Sequence, residues 1–138
     1  HFLTDLLNAR PGYLEAVNSA DRPHGRVLYG DHFAFYQHGD VALCFAREPM
    51  RRGVFTSKLY DQLGCGIPIV VEQHVRNAGD VVNLDAGEIV AFNDALGFTR
   101  AIERQCRRSL ADRTRIRAEA AAWGTWDDRA RALESYLR

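Results

Sequence analysis

Apolar positions along this chain fall into two alternating patterns. Four short runs, Val27–Tyr29, Val41–Phe45, Ile69–Val71 and Ile89–Phe92, are nearly continuous and are bounded by glycine, aspartate or proline. Runs of that length and composition read as strands buried on both faces, as in a parallel sheet. Between them the apolar residues recur at helical spacing. Phe2, Leu3, Leu6 and Leu7 begin one such pattern, which Pro11 interrupts and Tyr13, Leu14 and Val17 resume. Asp31 precedes a brief helix from His32 to Gln37, ended by Gly39. Phe98, Ala101, Ile102 and Cys106 mark one amphipathic face, in a helix ending near Ser109. Asp112 is placed to cap a helix running through Ile116 to Ala122, and Gly124 breaks it. Thr125 caps a last helix with Asp127 and Asp128 in its first turn, where the helix dipole favours acids. Its Trp126, Ala130, Leu133 and Leu137 share a face that needs an apolar partner. Strands alternating with helices predict an α/β fold with a doubly wound parallel sheet.

The stretch Gly53-Val-Phe-Thr-Ser-Lys-Leu-Tyr-Asp-Gln-Leu-Gly-Cys-Gly-Ile-Pro-Ile-Val-Val-Glu72 concentrates the chemistry. It reads as a loop, a short helix, a glycine stop and a buried strand. Thr56 and Ser57 are good N-cap residues, and the backbone N–H groups of the following turn are left pointing outward. Lys58 stands in the first turn, where a cation opposes the dipole unless an anion lies between them. Gly64 and Gly66 end the helix, and Pro68 opens the strand. Hydroxyls and a cation at a helix start suit a phosphate. An ordinary capped helix with a solvated lysine fits the same residues.

The order of residues in Lys58-Leu-Tyr-Asp61-Gln-Leu-Gly-Cys-Gly66-Ile-Pro68-Ile-Val70 resembles the donor-side motif of GT-B glycosyltransferases, of the group 1, GT4-like kind. That motif has a lysine, an acid three residues on, small residues, then Gly-x-Pro and a hydrophobic strand. Many retaining members bracket the loop with two glutamates eight positions apart. The second falls on Asp61, a shortened match, and the first on Gly53, a departure. The resemblance implies that Asp61 takes the ribose hydroxyls of a nucleotide-sugar, with Phe55, Thr56 and Ser57 along its diphosphate and sugar. Lys58 would face the diphosphate. The Phe35-Tyr36 helix and the Asp40-Val41 strand match the segment that precedes the motif, and Gly87–Phe92 with Asn93-Asp94 resembles a later strand and turn.

Composition narrows the function classes. With 138 residues, 46% of them hydrophobic, the chain can build one real core. Its net charge of zero favours neither nucleic acid nor any polyanion as a partner. No run has the length of a transmembrane helix, and no signal-peptide pattern opens the sequence. Cys44, Cys65 and Cys106 lack metal-ligand spacing and read as buried, reduced thiols of a cytoplasmic protein. Neither a metal nor a cofactor is expected. Lys58 is the only lysine among 18 basic residues. Arg47, Arg51 and Arg52 follow the second strand, where open α/β sheets bind ligands, and suit a diphosphate. A solvated charged loop with Glu48 as local partner explains any one of them more simply. His74 also lies at a strand's carboxyl end, in a position open to ligand or to solvent.

What the resemblance implies for organisation is that residues 1–138 form a single, partial donor-binding Rossmann-like domain, the C-terminal half of a GT-B architecture. The N-terminal acceptor domain is then missing, and the chain begins inside an apolar helix as a fragment would. A transferase of this kind moves sugar from a nucleotide-diphosphate sugar to an acceptor, as in polysaccharide biosynthesis, and its full form admits peripheral membrane association. The chain alone is then inactive, and it offers no residue as a catalytic base. A nucleotide-sugar epimerase on the same scaffold is an alternative. So is a non-catalytic Rossmann-like module that binds a nucleotide or a protein.

Overall fold

The computed structural model describes residues 32–45 and 55–137. The chain divides into two compact units, His1–Phe35 and Tyr36–Arg138. The elements in order are α1 (His32–His38), β1 (Ala42–Cys44), α2 (Lys58–Gly64), β2 (Ile69–Glu72), α3 (Ala78–Asn83), β3 (Gly87–Val90), α4 (Ala95–Gln105), α5 (Leu110–Trp123) and α6 (Trp126–Leu137). The expected strands at 41–45, 69–71 and 89–92 therefore form, with shifted ends. The expected strand Val27–Tyr29 lies outside the described residues, as do Arg47, Arg51, Arg52 and Gly53.

The three strands lie in the order β1-β2-β3, and every pairing is parallel. Ala42 pairs with Ile69 and Ile69 with Gly87, so the strand starts are level and their carboxyl ends share one edge. Successive side chains of a strand point to opposite faces, which sorts the core into two layers. On one face Ala42, Cys44, Ile69 and Val71 meet Leu59 and Leu63 of α2, Ala78 and Val81 of α3 and Ile116 of α5. On the other, Val70, Val90, Val41 and Leu43 meet Phe98, Ala101 and Ile102 of α4. Helices thus cover both faces of a small parallel sheet, the arrangement the apolar runs of β2 require. All four β2 residues are buried. Each fully buried Leu, Ile or Val contributes about 1.5–3 kcal/mol.

Asp94 caps α4 by accepting from Gly97 N–H at 2.8 Å. The chain then changes face, and its next cap corrects the expectation. Ser109, not Asp112, is the N-cap of α5; Asp112 is its reciprocal partner in a capping box, three residues on. Gly66 turns the chain from α2 toward β2 with a φ of +72°, and a Cβ there would stand 2.3 Å from the Arg113 carbonyl oxygen. Glycine is needed both for the left-handed backbone and for the approach of α5. Thr125 and Asp128 form the expected capping box at the start of α6.

The apolar face of α6 stays uncovered among the described residues, and the expected burial of all three cysteines is overturned. No residue of α6 is buried, and Trp126, Leu133 and Leu137 stay exposed. The helix attaches by a cation instead: the Arg129 guanidinium lies 5.4–5.7 Å from the ring centres of Tyr60, Trp123 and Trp126. Nor are the cysteines uniformly buried. Cys44 is buried, Cys65 is half-buried, and Cys106 is exposed because it lies just past the last turn of α4.

Candidate functional site

The carboxyl ends of β1, β2 and β3 open toward the loop that enters α2, the loop 73–77 and the turn 91–94. This edge is where parallel α/β sheets gather ligand-binding groups, because each strand hands over to a loop there. Lys58 is the first residue of α2 and is exposed, with no ion-pair partner among the described residues. Its charge reaches the end of β1. Burial pushes the Cys44 thiol up from its ordinary value, and Lys58 pulls it partly back. Asp61, in the same first turn, is half-buried. Its charge is felt at Tyr36 and Cys65. Both groups are pushed upward chiefly by burial, with the Asp61 charge adding to it.

The loop before α2 is held differently from what the hydroxyls at Thr56 and Ser57 suggested. Ser57 occupies the N-cap position with helical backbone angles and makes no side-chain capping bond. A residue already in the helical region aims its side chain away from the first-turn N–H groups. Tyr60 N–H instead donates to the Ser57 carbonyl at 2.9 Å. The anchor comes from Asn77, a buried residue in the loop after β2. Its Oδ1 accepts from Thr56 N–H at 3.2 Å, and its Nδ2 donates to the Thr56 carbonyl at 3.0 Å. One amide thus satisfies both backbone groups of Thr56 and fixes the loop that enters α2 against the loop leaving β2. The sequence offered no sign of this pairing, because its partners stand 21 residues apart.

Tyr60 is the second residue that pattern alone passed over. Its hydroxyl donates to Asp80 Oδ2 at 3.0 Å, and its ring lies 5.8 Å from Phe55 and stacks on Trp123 at 5.7 Å. Burial is the main reason its hydroxyl is held above the ordinary tyrosine value. It therefore ties α2 to α3 and α5. Phe55 remains largely exposed beside it.

Further along the edge, Glu72 at the end of β2 is 3% exposed and lies 3.1 Å from His74 Nδ1. The His74 ring meets Phe92 edge-on at 5.3 Å. His74 is thus half-buried and positioned rather than simply solvated. Among the described residues no group of three or more His, Cys, Asp or Glu side chains is placed to hold a metal ion. No described helix is long and apolar enough to cross a membrane.

The structure therefore places Phe55, Thr56, Ser57, Lys58 and Asp61 together at and just before the start of α2, at the carboxyl edge of the sheet. It leaves Arg47, Arg51 and Arg52 undescribed. Searches among curated proteins and among solved structures give no match. A family profile described as glycosyl transferase-like matches residues 6–135, a span that takes in every described element up to most of α6. With nearly the whole length matched and a parallel α/β sheet beneath the motif, the chain belongs to the glycosyl transferase-like family.

Proposed function

We propose that this chain is the donor-binding, C-terminal half of a GT-B glycosyltransferase that transfers sugar from a nucleotide-diphosphate sugar to an acceptor. The observation that carries the reading is the placement of Lys58 and Asp61 one helical turn apart at the carboxyl edge, behind a loop whose backbone Asn77 clamps. The family match supplies the reaction class. In this reading the diphosphate lies along Phe55–Ser57 and against Lys58, and Asp61 takes the ribose hydroxyls. Arg47, Arg51 and Arg52 are further phosphate partners.

The chemistry is electrostatic. As the bond from the anomeric carbon to the diphosphate oxygen breaks, negative charge grows on the leaving group, and a fixed cation beside it lowers the barrier. Lys58 is the described residue for that role. A clamped loop lets it act without reorganising, since the loop backbone is already satisfied. Asp61 contributes equally before and during bond breaking, because a ribose contact does not change as the sugar departs.

That division of labour is testable in the intact enzyme with a panel of nucleotide-diphosphate sugars, following nucleoside diphosphate release. Lys58→Ala should lower kcat, because the leaving diphosphate gains charge as the sugar bond breaks. Asp61→Asn should raise KM for the donor roughly ten- to a hundredfold, as expected for loss of a charged hydrogen bond of about 1.5–3 kcal/mol. Thermal unfolding of both variants separates a binding defect from loss of fold. If both are folded and fully active, the donor assignment is wrong.

A further inference from the structure

Among the described residues the sheet stops at β3, and the outer backbone groups of that strand have no partner. On its inner side, Ile69 N–H donates to the Ala86 carbonyl and Gln73 N–H to the Val90 carbonyl, both at 2.9 Å. In a parallel ladder alternate residues turn both their N–H and their C=O to the same neighbour. Ala86, Glu88 and Val90 therefore face β2, and Gly87 and Ile89 present N–H and C=O outward. An edge of this kind is a template for another strand, and proteins guard it with lysine, proline or a bulge. β3 reads Gly-Glu-Ile-Val and pairs with β2 residue for residue, so it carries none of these guards. Ile89 stays 42% exposed in the middle of the strand. The one charge on β3 is already engaged: Glu88 accepts from Arg104 at 2.9 Å and from Gln105 at 2.6 Å.

The same edge of another copy fits these features. A twofold axis through Ile89 sets it opposite the partner's Ile89, and the outward N–H and C=O of each then bond the other, as in an antiparallel pair. Gly87 falls opposite the partner's Ala91, and Glu88 opposite the partner's Val90. Like charges therefore do not meet across the pair, and the exposed isoleucines cover each other. The chain's net charge of zero adds no repulsion between copies. We infer that β3 is an association edge, pairing antiparallel with β3 of a second copy to join the two three-stranded sheets into one. Antiparallel pairing sends the carboxyl edges of the two sheets to opposite ends, so residues 55–61 of each copy stay open. The inference does not rest on the donor reading. A contact built on one four-residue strand is small, so the association is weak and concentration-dependent.

Sedimentation equilibrium of the chain from about 10 µM to about 1 mM should show a monomer–dimer equilibrium. In an NMR sample mixing labelled and unlabelled chain, filtered Overhauser contacts should join the Glu88 α-proton to the partner's Val90 α-proton, the close pair without hydrogen bonds in this register. Ile89→Lys sets two like charges at the axis and should weaken association at least roughly tenfold, with an unchanged circular dichroism spectrum. Ile89→Pro removes only an outward N–H, which an edge strand tolerates, and should weaken association as well. A chain that is monomeric at about 1 mM would overturn the inference. So would a dimer undiminished in both folded variants, or intermolecular contacts in another register or at other residues.

Discussion

Asn77 is the residue whose removal should tell most about how the loop entering α2 is held. Its side chain makes two bonds to Thr56, at 3.2 Å to the N–H and 3.0 Å to the carbonyl. Each neutral hydrogen bond contributes about 1 kcal/mol net, and Asn77→Ala leaves both Thr56 groups to find water in a partly enclosed place. The expected loss is about 2 kcal/mol, which is roughly thirtyfold in the opening equilibrium of the loop. Asn77→Asp keeps an acceptor for the Thr56 N–H but has nothing to donate to the carbonyl, and it sets a negative charge beside it. It should therefore lose at least half as much. Native-state hydrogen exchange reads the effect at the Thr56 amide itself, and urea unfolding reads the global part. Protection at Thr56 should fall about thirtyfold in Asn77→Ala, while amides of β2 change only by the global loss. Unchanged Thr56 exchange in a variant of normal stability would refute the clamp.

Other expected outcomes follow from single contacts. Gly66→Ala places a Cβ 2.3 Å from the Arg113 carbonyl in a left-handed backbone, and should cost about 2–5 kcal/mol in urea unfolding. Gly64→Ala meets no atom within 4 Å and should be neutral or stabilising by up to about 1 kcal/mol, so equal losses at both glycines would contradict the packing described. Glu88 accepts from Arg104 and Gln105, which hold its carboxyl below the ordinary value. A depressed carboxyl adds stability that is present above its unfolded pKa of about 4.3 and is lost as pH falls through the folded value. Glu88→Gln should therefore flatten the fall of Tm below that pH, and an unchanged acid profile would count against the ion pair. Ser109→Ala removes the cap of α5 and should cost about 1 kcal/mol.

The sheet was legible because its signal is local. Ile69-Val70-Val71 is apolar at consecutive positions, which only a strand covered on both faces can use, and the structure buries it from both sides. Gly124 and the Thr125–Asp128 box were legible for the same reason. The Ser109–Asp112 box was equally visible as a serine three residues before an acid; the error was to assign the cap to the acid. Ser57 shows the converse. A good capping residue sat at the right place, yet tertiary contacts from Asn77 set the loop and left its hydroxyl out of the helix. The α6 face at Trp126 was read correctly as apolar, but periodicity does not say whether a partner covers it. Tyr60 and Asn77 were passed over because each acts through residues about 20 positions away, a distance at which sequence pattern carries no information.

The central claim is that the edge around Phe55–Asp61 holds the diphosphate of a nucleotide-sugar. Its most direct test is a calorimetric comparison of a nucleoside diphosphate with its parent nucleoside, repeated on Lys58→Ala. The account predicts that the diphosphate binds at least roughly tenfold more tightly than the nucleoside, and that Lys58→Ala removes most of that difference while leaving the nucleoside unchanged. Equal affinities for the two ligands, or a preference for the diphosphate that survives in Lys58→Ala, would contradict it.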